Sequence, residues 1–302
     1  MLRAFRFAVV FTDQMGSAQW ADYARRLEGE GFSTLLVADH FANPMACGPL
    51  LLAAAAATTT LRVGSYVYDN DFRHPALLAK EAATIDVLSA GRLELGLGAG
   101  WHKEEYDAVG IPFDPPGIRV SRLEESVEIL LGLFAGGPYS FQGTHYRLDG
   151  HEGLPAPVQH PIPLLIGGGG PRMLRLAARR AQILGLVPPS LAGGGLDPDK
   201  FSAAAMDAKV AALEAAVAEL GRADGGPERS VLVFQMYPSR LDVPADDWVR
   251  PDLAVDSPYV LLGEPAAMAD TLLARRERWG LSYVVCFERD LERFLPVVRL
   301  LA

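Results

Sequence analysis

Asp39 and His40 are candidates for acid–base chemistry because they end an apolar run that begins at residue 34. An imidazole titrates near neutrality, so His40 could donate or accept a proton beside a reacting group. Successive residues of a strand point to opposite faces, so at most one of the pair is expected to face a site, unless the alternation is already lost at the strand end. His40 is therefore the candidate catalytic residue, and a hydrogen-bonded capping pair is the alternative.

Four consecutive glycines, Gly167 to Gly170, form the most informative motif, because Pro171 opens a helical pattern directly after them. A strand, a glycine stretch and a helix start bring free backbone N–H groups and the positive end of the helix dipole together. This arrangement binds anions, most often phosphate. Glycine permits a close approach and a positive φ there, and a tight turn without a ligand is the alternative. Arg172 and Met173 follow, so the motif is not a Walker sequence, nor does it occupy the first strand–helix turn, where the dinucleotide fingerprint lies.

The composition and the remaining polar residues argue against several classes of function. Acidic residues outnumber basic ones by 37 to 28, so we expect no nucleic-acid partner. The other histidines have no metal-ligand spacing and no accompanying cysteines or paired carboxylates, so no metal site is predicted. The sequence contains no Gly-x-Ser-x-Gly motif, which argues against an α/β-hydrolase.

The chain is expected to work in the cytoplasm and not at a membrane. Its longest apolar stretch, residues 49–57, is far shorter than the roughly 20 residues that span a bilayer. Cys47 and Cys286 are far apart in sequence and too few for a disulfide-stapled secreted scaffold. The first residues run straight into a strand pattern without the apolar region of a signal peptide before it.

Short apolar runs alternate with longer helical patterns along the chain. Eight such strand–helix units favour a closed parallel (β/α)8 barrel, the TIM barrel, and 302 residues suit a single domain spanning 1–302. An open doubly wound sheet shares this local pattern and is the alternative. The first helix is predicted over 19–30 with Ser17 as its N-cap. The predicted strands are residues 5–10, 34–38, 61–68, 92–97, 164–166, 183–187, 231–236 and 283–287.

Two segments interrupt the alternation. Residues 139–147 predict a small hairpin inserted after the fourth helix, and the long segment 238–262 follows the seventh strand. Long loops on the C-terminal side of barrel strands are either substrate lids or plain surface loops. Because TIM-barrel active sites lie at the C-terminal ends of the strands, the residues that follow the strands are the candidates for function.

Four stretches of the sequence carry a resemblance to a known family: LLVADHF at 35–41, VGSYVYDNDFRHPALLAKEAATIDVLSAGRLELGLGAGWHKEEYDAVGIPF at 63–113, RLEESVEILLGLF at 122–134 and PLLIGGGGPRMLRLAARRAQILGL at 163–186. With them the chain resembles the luciferase-like monooxygenase family (the bacterial luciferase superfamily), and within it the branch that uses the deazaflavin coenzyme F420. The resemblance implies a barrel that binds a deazaflavin or isoalloxazine ring at its C-terminal mouth. It also implies a non-prolyl cis peptide or bulge behind the ring, at Tyr66-Val67.

The resemblance further implies roles for individual residues. His40 matches a histidine with a proposed proton-transfer role in the branch that oxidises sugar phosphates. That branch has an acidic residue where this chain has Trp101, so oxidation of a sugar phosphate is not expected. Trp101, Phe11, Tyr66 and the 238–262 loop would instead shape the pocket of another substrate. The implied cofactor contacts are Asp39, Tyr66, Val67, Asp69, Ala99, Gly100 and Glu104, with phosphate contacts at Gly168, Gly169, Arg172 and Met173.

The expected activity is hydride transfer between coenzyme F420 and a small-molecule or peptide substrate. Reduction of an activated double bond is at least as expected as oxidation of an alcohol. One alternative is an FMN-dependent monooxygenase that uses oxygen on the same scaffold, and another is a barrel that only binds a cofactor or a partner. Family members are often dimers, so a homodimer is expected.

Overall fold

Parallel strands form a closed sheet at the centre of the structure, a computed structural model that describes residues 2–244 and 249–301. In chain order the strands are β1 (Arg6–Phe11), β2 (Thr34–Val37), β3 (Arg62–Ser65), β4 (Tyr68–Asp69), β5 (Leu93–Gly98), β6 (Pro138–Gln142), β7 (Arg147–Glu152), β8 (Leu164–Gly168), β9 (Ile183–Leu186), β10 (Glu228–Val233), β11 (Gln235–Tyr237), β12 (Val260–Leu262) and β13 (Leu281–Phe287). β1 pairs with β2 and β13, and the series closes where β3 pairs with β5. Since β4 continues β3 along the same edge of β5, the barrel has the eight positions of a TIM barrel. The predicted closed barrel is confirmed, and the open sheet is wrong.

Helices cover the outside of the barrel. In chain order they are α1 (Ser17–Gly29), α2 (Cys47–Ala57), α3 (Pro75–Leu88), α4 (Lys103–Val109), α5 (Pro116–Phe134), α6 (Pro171–Arg180), α7 (Ala203–Glu219), α8 (Pro265–Trp279) and α9 (Leu291–Leu301). Proline opens α3, α5, α6 and α8, where its missing N–H removes no helical hydrogen bond. The predicted N-cap Ser17 is instead the first residue of α1, and the N-cap is Gly16, whose N–H donates to Gln19 Oε1 at 3.2 Å.

The two predicted interruptions have different structures. The first is the expected hairpin, in which β6 and β7 pair antiparallel. The second, segment 238–262, contains a short 3-10 turn at Arg240–Asp242 and ends in β12, which pairs parallel with β11 outside the barrel. Residues 245–248 of this segment lie outside the described residues.

A buried charge cluster lies at the N-terminal end of the barrel. The Glu94 carboxylate accepts hydrogen bonds from Arg6 (2.7 Å), Arg62 (2.8 Å) and the Tyr283 hydroxyl (3.0 Å). Arg6 also pairs with Glu228 at 3.0 Å. A buried carboxylate is tolerated only when it is paired and hydrogen-bonded, so this cluster ties together the beginnings of several strands.

Cys47 and Cys286 are buried free thiols. Within residues 2–244 and 249–301, no helix combines the length and the apolar character that crossing a bilayer requires.

Candidate active site

A cleft of about 470 Å³ opens at the C-terminal ends of the barrel strands, and we call it the main cleft. Its volume lies within the range of roughly 300–1,000 Å³ that holds small molecules and cofactors. Most of the predicted site residues line it, namely Asp39, His40, Tyr66, Val67, Asp69, Ala99, Gly100, Trp101, Gly168, Gly169 and Met173. A second cleft of about 850 Å³ involves β11, α8 and α9, and its described lining includes Pro238 of segment 238–262 but none of the individually predicted site residues.

His40 is held by a carboxylate that the sequence did not single out. His40 Nδ1 lies 2.7 Å from Glu105 Oε2, and the other Glu105 oxygen accepts a hydrogen bond from the Ala42 N–H at 2.9 Å. Glu105 is 5% exposed, whereas the His40 side chain keeps 27% of its surface at the cleft. Because a carboxylate can only accept, it favours the imidazole tautomer with the proton on Nδ1 and leaves Nε2 for another partner.

Glu104, predicted to contact the cofactor, faces solvent. Its side chain is 80% exposed and lies 3.3 Å from His102 Nε2, outside the lining of the main cleft. Successive residues on a helix are about 100° apart, so only one of two adjacent glutamates in α4 can face the barrel. The first turn of α4 turns Glu105 inward, followed by the buried Tyr106.

Asp39 and Asp69 both line the main cleft, and each accepts hydrogen bonds from other residues of the protein. Arg73 binds both oxygens of Asp39, at 2.7 and 3.0 Å, and Asp39 also accepts from the Asp69 N–H. The Tyr106 hydroxyl donates to Asp69, and burial raises the pKa of Asp69 to about 7. Both Asp39 and His40 reach the cleft because β2 ends at Val37, before the alternation of faces could separate them.

Val67 forms the floor of the main cleft between two glycines. The peptide bond Tyr66–Val67 is cis, which is one of the two local structures that the resemblance implies. A Cβ added to Gly98 would lie 2.7 Å from Val67 Cγ2, and one added to Gly167 would lie 3.1 Å from Val67 Cγ1. Glycine at these positions therefore lets the valine side chain enter the mouth of the barrel.

The glycine run lines the main cleft, as the sequence predicts, but its φ angles differ from the expectation. All four glycines line the cleft, and Gly170 is the N-cap of α6 with φ −81°. None of the four has a positive φ. Glycine is required at position 169 because of close packing, since a Cβ there would lie 2.0 Å from the Val187 carbonyl oxygen.

Arg172, predicted to contact a phosphate, turns away from the glycine run. Its guanidinium donates to the Gly117 carbonyl (2.9 Å) and to Glu124 (2.5 Å) on α5. It does not line the main cleft, because the first turn of α6 points this side chain towards the neighbouring helix. Met173, the next residue, does line the cleft.

Phe11 is not part of the cleft, which corrects a third site prediction after Glu104 and Arg172. Its ring packs against Trp20 and Tyr23 of α1, with ring centroids 4.7 and 6.0 Å apart. The neighbours Val10 and Thr12 line the cleft instead, because alternate residues of β1 face the inside of the barrel.

Trp101 lies where the prediction put it, in the wall of the main cleft. Its ring makes an edge contact with His40 at 5.6 Å and stacks on His102 at 5.0 Å. In segment 238–262, none of the described residues lines the main cleft. The expected contribution of this loop to the pocket therefore finds no support in its described part.

The fold also brings together three side chains that could bind a metal, although no metal site is predicted from spacing. The ligand atoms of His40, His102 and Glu105 lie within 4.8 Å of one another. His102 Nδ1 lies 3.6 Å from Glu105 Oε1. Sequence spacing misses this group because its members come from a loop after β2 and from the start of α4.

The fold and the cleft together define a TIM barrel with a cofactor-sized site at its mouth, and comparisons with known proteins agree with the fold. The profile of the luciferase-like monooxygenase family matches residues 7–237. The chain belongs to this family.

Relatives whose names state a coenzyme include an F420-dependent and an FMNH2-dependent enzyme. The chain is 32% identical to an F420-dependent glucose-6-phosphate dehydrogenase from Nakamurella multipartita over 178 residues, which cover 56% of this chain and 52% of that protein. It is 36% identical over 130 residues to an FMNH2-dependent dimethylsulfone monooxygenase from Pseudomonas putida, covering 43% of this chain and 36% of the other. The aligned region spans about half the length of the first of these relatives.

Among solved structures, a coenzyme F420-dependent tetrahydromethanopterin reductase from Methanopyrus kandleri has the same fold. The two superpose with a TM-score of 0.80 at 19% identity, over 98% of this chain and 97% of that one. At this identity the likeness concerns the fold alone.

Proposed function

We propose that this chain is an oxidoreductase that transfers hydride between coenzyme F420 and a small organic substrate, with His40 as the proton carrier. The observation that carries the proposal is the hydrogen bond between His40 Nδ1 and Glu105 at the edge of a cofactor-sized cleft. Reduction of an activated double bond is the favoured direction. Such a reaction adds a hydride and a proton to the substrate. The doubly protonated ring of His40, with its Nδ1–H held by Glu105, would give the proton from Nε2 and be left as the neutral Nδ1–H tautomer.

The residues of the main cleft fit a ring system with an anionic tail. Val67, Ala99 and Gly100 would bind the ring, while Gly168, Gly169 and Met173 would bind the phosphate-bearing side chain. The position of the glycine run supports this assignment, because it lines the cleft and ends at Gly170, the N-cap of α6. When bound, the deazaflavin would supply or accept the hydride, and the protein would orient it and exclude water.

His40 would act on the substrate through Nε2. Glu105 holds Nδ1, so the imidazole ring has a fixed orientation and tautomer and its other nitrogen is available at the cleft. Trp101 makes an edge contact with this ring and stacks on His102. It would form an apolar wall beside the substrate. Trp101 cannot carry a proton as a carboxyl group would, so we assign proton transfer to His40 alone.

A flavin monooxygenase is the second candidate, favoured by the relative from Pseudomonas putida. The same cleft would hold FMN, and the reaction would then consume oxygen. The cofactor separates the two functions, because deazaflavin lacks the ring nitrogen N5 of flavins and does not react readily with oxygen.

The test is an anaerobic and aerobic pair of turnover assays. Reduced F420 without oxygen would be offered enones, imines and dehydroamino acids, and reduced FMN with oxygen would be offered the same compounds. The proposal expects anaerobic reoxidation of F420 with at least one class of acceptor, and a large loss of this rate in His40→Ala. Product that forms only with reduced FMN and oxygen would contradict it, and a protein that binds neither coenzyme would be a barrel without this chemistry.

A further inference from the structure

Lys209 is a buried cation without a carboxylate partner in the part of the chain that the structure describes. It lies on α7 and is 6% exposed. Its ammonium donates a hydrogen bond to the Tyr259 hydroxyl at 2.8 Å and lies 5.3 Å from the centre of that ring. No ion pair involves it among residues 2–244 and 249–301. Lysine is rarely buried without a counter-ion, because desolvation of an ammonium group costs several kcal/mol.

The stem of Lys209 lies directly behind the glycine run. A Cβ built on Gly169 would be 3.2 Å from Lys209 Cε and 2.0 Å from the Val187 carbonyl oxygen. Gly169 and Val187 both line the main cleft. One layer of backbone therefore separates the lysine from the place where an anion would meet the amides that precede α6.

Among the described residues that line the main cleft, Arg119 is the one arginine or lysine, and its guanidinium donates to the backbone carbonyls of Ala99, Gly100 and Asp114. Arg172, the residue expected to contact a phosphate, is paired with Glu124 on α5. The helix dipole at the start of α6 contributes only about half an elementary charge. Among the three atoms nearest to a Cβ built on Gly169, one belongs to a basic side chain, that of Lys209.

The surroundings of Lys209 contain little negative charge. Among neighbouring loops, Lys200 opposes its protonation and Asp197 favours it, and burial is the largest effect, lowering the pKa of Lys209 to about 7. On the adjoining helices, Arg278 of α8 pairs with Asp207 and Arg175 of α6 pairs with Glu219. The buried Arg275 of α8 donates to the backbone carbonyls of Ser257, Pro258 and Val260, around Tyr259. Tyr259 is a neutral hydrogen-bond acceptor, because burial raises its pKa well above the ordinary value.

We propose that Lys209 is the counter-ion for the phosphate group that the glycine run binds. The inference rests on the proposed function for the identity of the cofactor, but it assigns a new residue to the anion site. A bound phosphate would favour the ammonium form, so binding would be linked to proton uptake near neutral pH. Affinity should then weaken as pH rises from about 6.5 to about 8.5, since the empty site loses its charge over this range.

The experiment compares coenzymes with and without phosphate on the purified full chain. F420 and a phosphate-free deazaflavin form one pair, and FMN and riboflavin form the other, with binding followed by fluorescence. Lys209→Met should weaken binding of the phosphate-bearing member by about tenfold or more and leave the phosphate-free member within about twofold. It should also abolish the pH dependence. Lys200→Met, which deletes an exposed charge nearby, is the matched control. It should keep both the affinity for the phosphate-bearing member and the pH dependence, with the midpoint moved only to higher pH because Lys200 opposes the protonation of Lys209.

The outcomes also separate this inference from the proposed function. Equal losses for both members of a pair, or no loss, would overturn the role of Lys209. If the wild-type chain binds neither coenzyme, the proposed function fails, and calorimetry with inorganic phosphate then decides the inference. Binding of phosphate that is lost in Lys209→Met and kept in Lys200→Met would support it, and equal phosphate binding by all three proteins would refute it.

Discussion

Replacing Glu105 with glutamine changes the orientation of His40 with little change of shape. In the wild type the carboxylate accepts from Ala42 N–H at 2.9 Å and contacts His40 Nδ1 at 2.7 Å. Glutamine can keep the first hydrogen bond with its carbonyl oxygen, and its NH2 group then faces Nδ1. Because that group can only donate, Nδ1 must accept, and the proton of the neutral ring moves to Nε2.

The expected loss follows from the kind of hydrogen bond that is removed. A hydrogen bond to a charged group contributes about 1.5–3 kcal/mol, against about 1 kcal/mol for a neutral one. The difference is about 0.5–2 kcal/mol and roughly 1.4 kcal/mol corresponds to tenfold in rate, so Glu105→Gln should slow proton-coupled hydride transfer by about 2- to 30-fold. The lost acceptor adds to this effect, because the glutamine NH2 group cannot accept the Nδ1–H of the doubly protonated ring, which is the form that would give its Nε2 proton to the substrate.

The assay has two parts, and only the second needs a substrate. Nitrogen-15 NMR of labelled histidine reports the tautomer of His40, which should carry its proton on Nδ1 in the wild type and on Nε2 in Glu105→Gln. Single-turnover oxidation of reduced F420 by an accepted substrate reports the rate. Glu104→Gln is the matched control, because its side chain is 80% exposed and away from His40.

The reasoning would be refuted by a Glu105→Gln protein that keeps both the wild-type tautomer and the wild-type rate. It would also be refuted if Glu104→Gln lost as much activity as Glu105→Gln. Unchanged binding of F420 in both variants is expected, because neither glutamate belongs to the proposed cofactor contacts.

Further predictions concern the site, the barrel and the assembly. His40→Ala should lower turnover by about 10²- to 10⁴-fold while F420 still binds, as measured by steady-state kinetics and fluorescence; an unchanged rate would remove His40 from proton transfer. Gly169→Ala should weaken F420 binding, because its Cβ would meet a carbonyl oxygen at 2.0 Å, whereas Gly170→Ala meets open space and should bind normally. Glu94→Gln should lower the free energy of unfolding in urea by about 3 kcal/mol, since it breaks a buried ion cluster, and a loss below about 1 kcal/mol would contradict this. Light scattering at micromolar concentration should give the mass of a homodimer, and a monomer mass would end that proposal.

The barrel could be predicted from sequence because each parallel strand is buried on both sides. Such strands are continuous apolar runs, and the run at 183–187 corresponds to β9 (Ile183–Leu186) almost residue for residue. Strand ends were less predictable. The run at 61–68 is split into β3 and β4 by the turn at Tyr66–Val67, which apolar patterning does not register.

Site residues could be predicted where the backbone alone places them in the cleft. They were harder to predict where the orientation of the side chain decides whether it faces the cleft or solvent. The glycine run needed only a strand followed by a helix, and it lies in the cleft. Glu104 and Arg172 stand in the first turns of helices, where a rotation of about 100° per residue decides between cleft and solvent. Apolar patterning in α4 is too short to fix that rotation, so Glu105 was missed. Lys209 was missed because nothing in an Ala-rich helix marks a lysine as buried.

The most direct test of the central claim is a competition between F420 and FMN for the main cleft. The apoprotein would be equilibrated with equal amounts of F420 and FMN, passed through a desalting column, and the coenzyme that stays bound would be identified by its absorbance. The account predicts retention of F420 at one per chain, with His40→Ala retaining it as well. Retention of FMN in place of F420, or of neither, would contradict the claim that this barrel is a deazaflavin oxidoreductase.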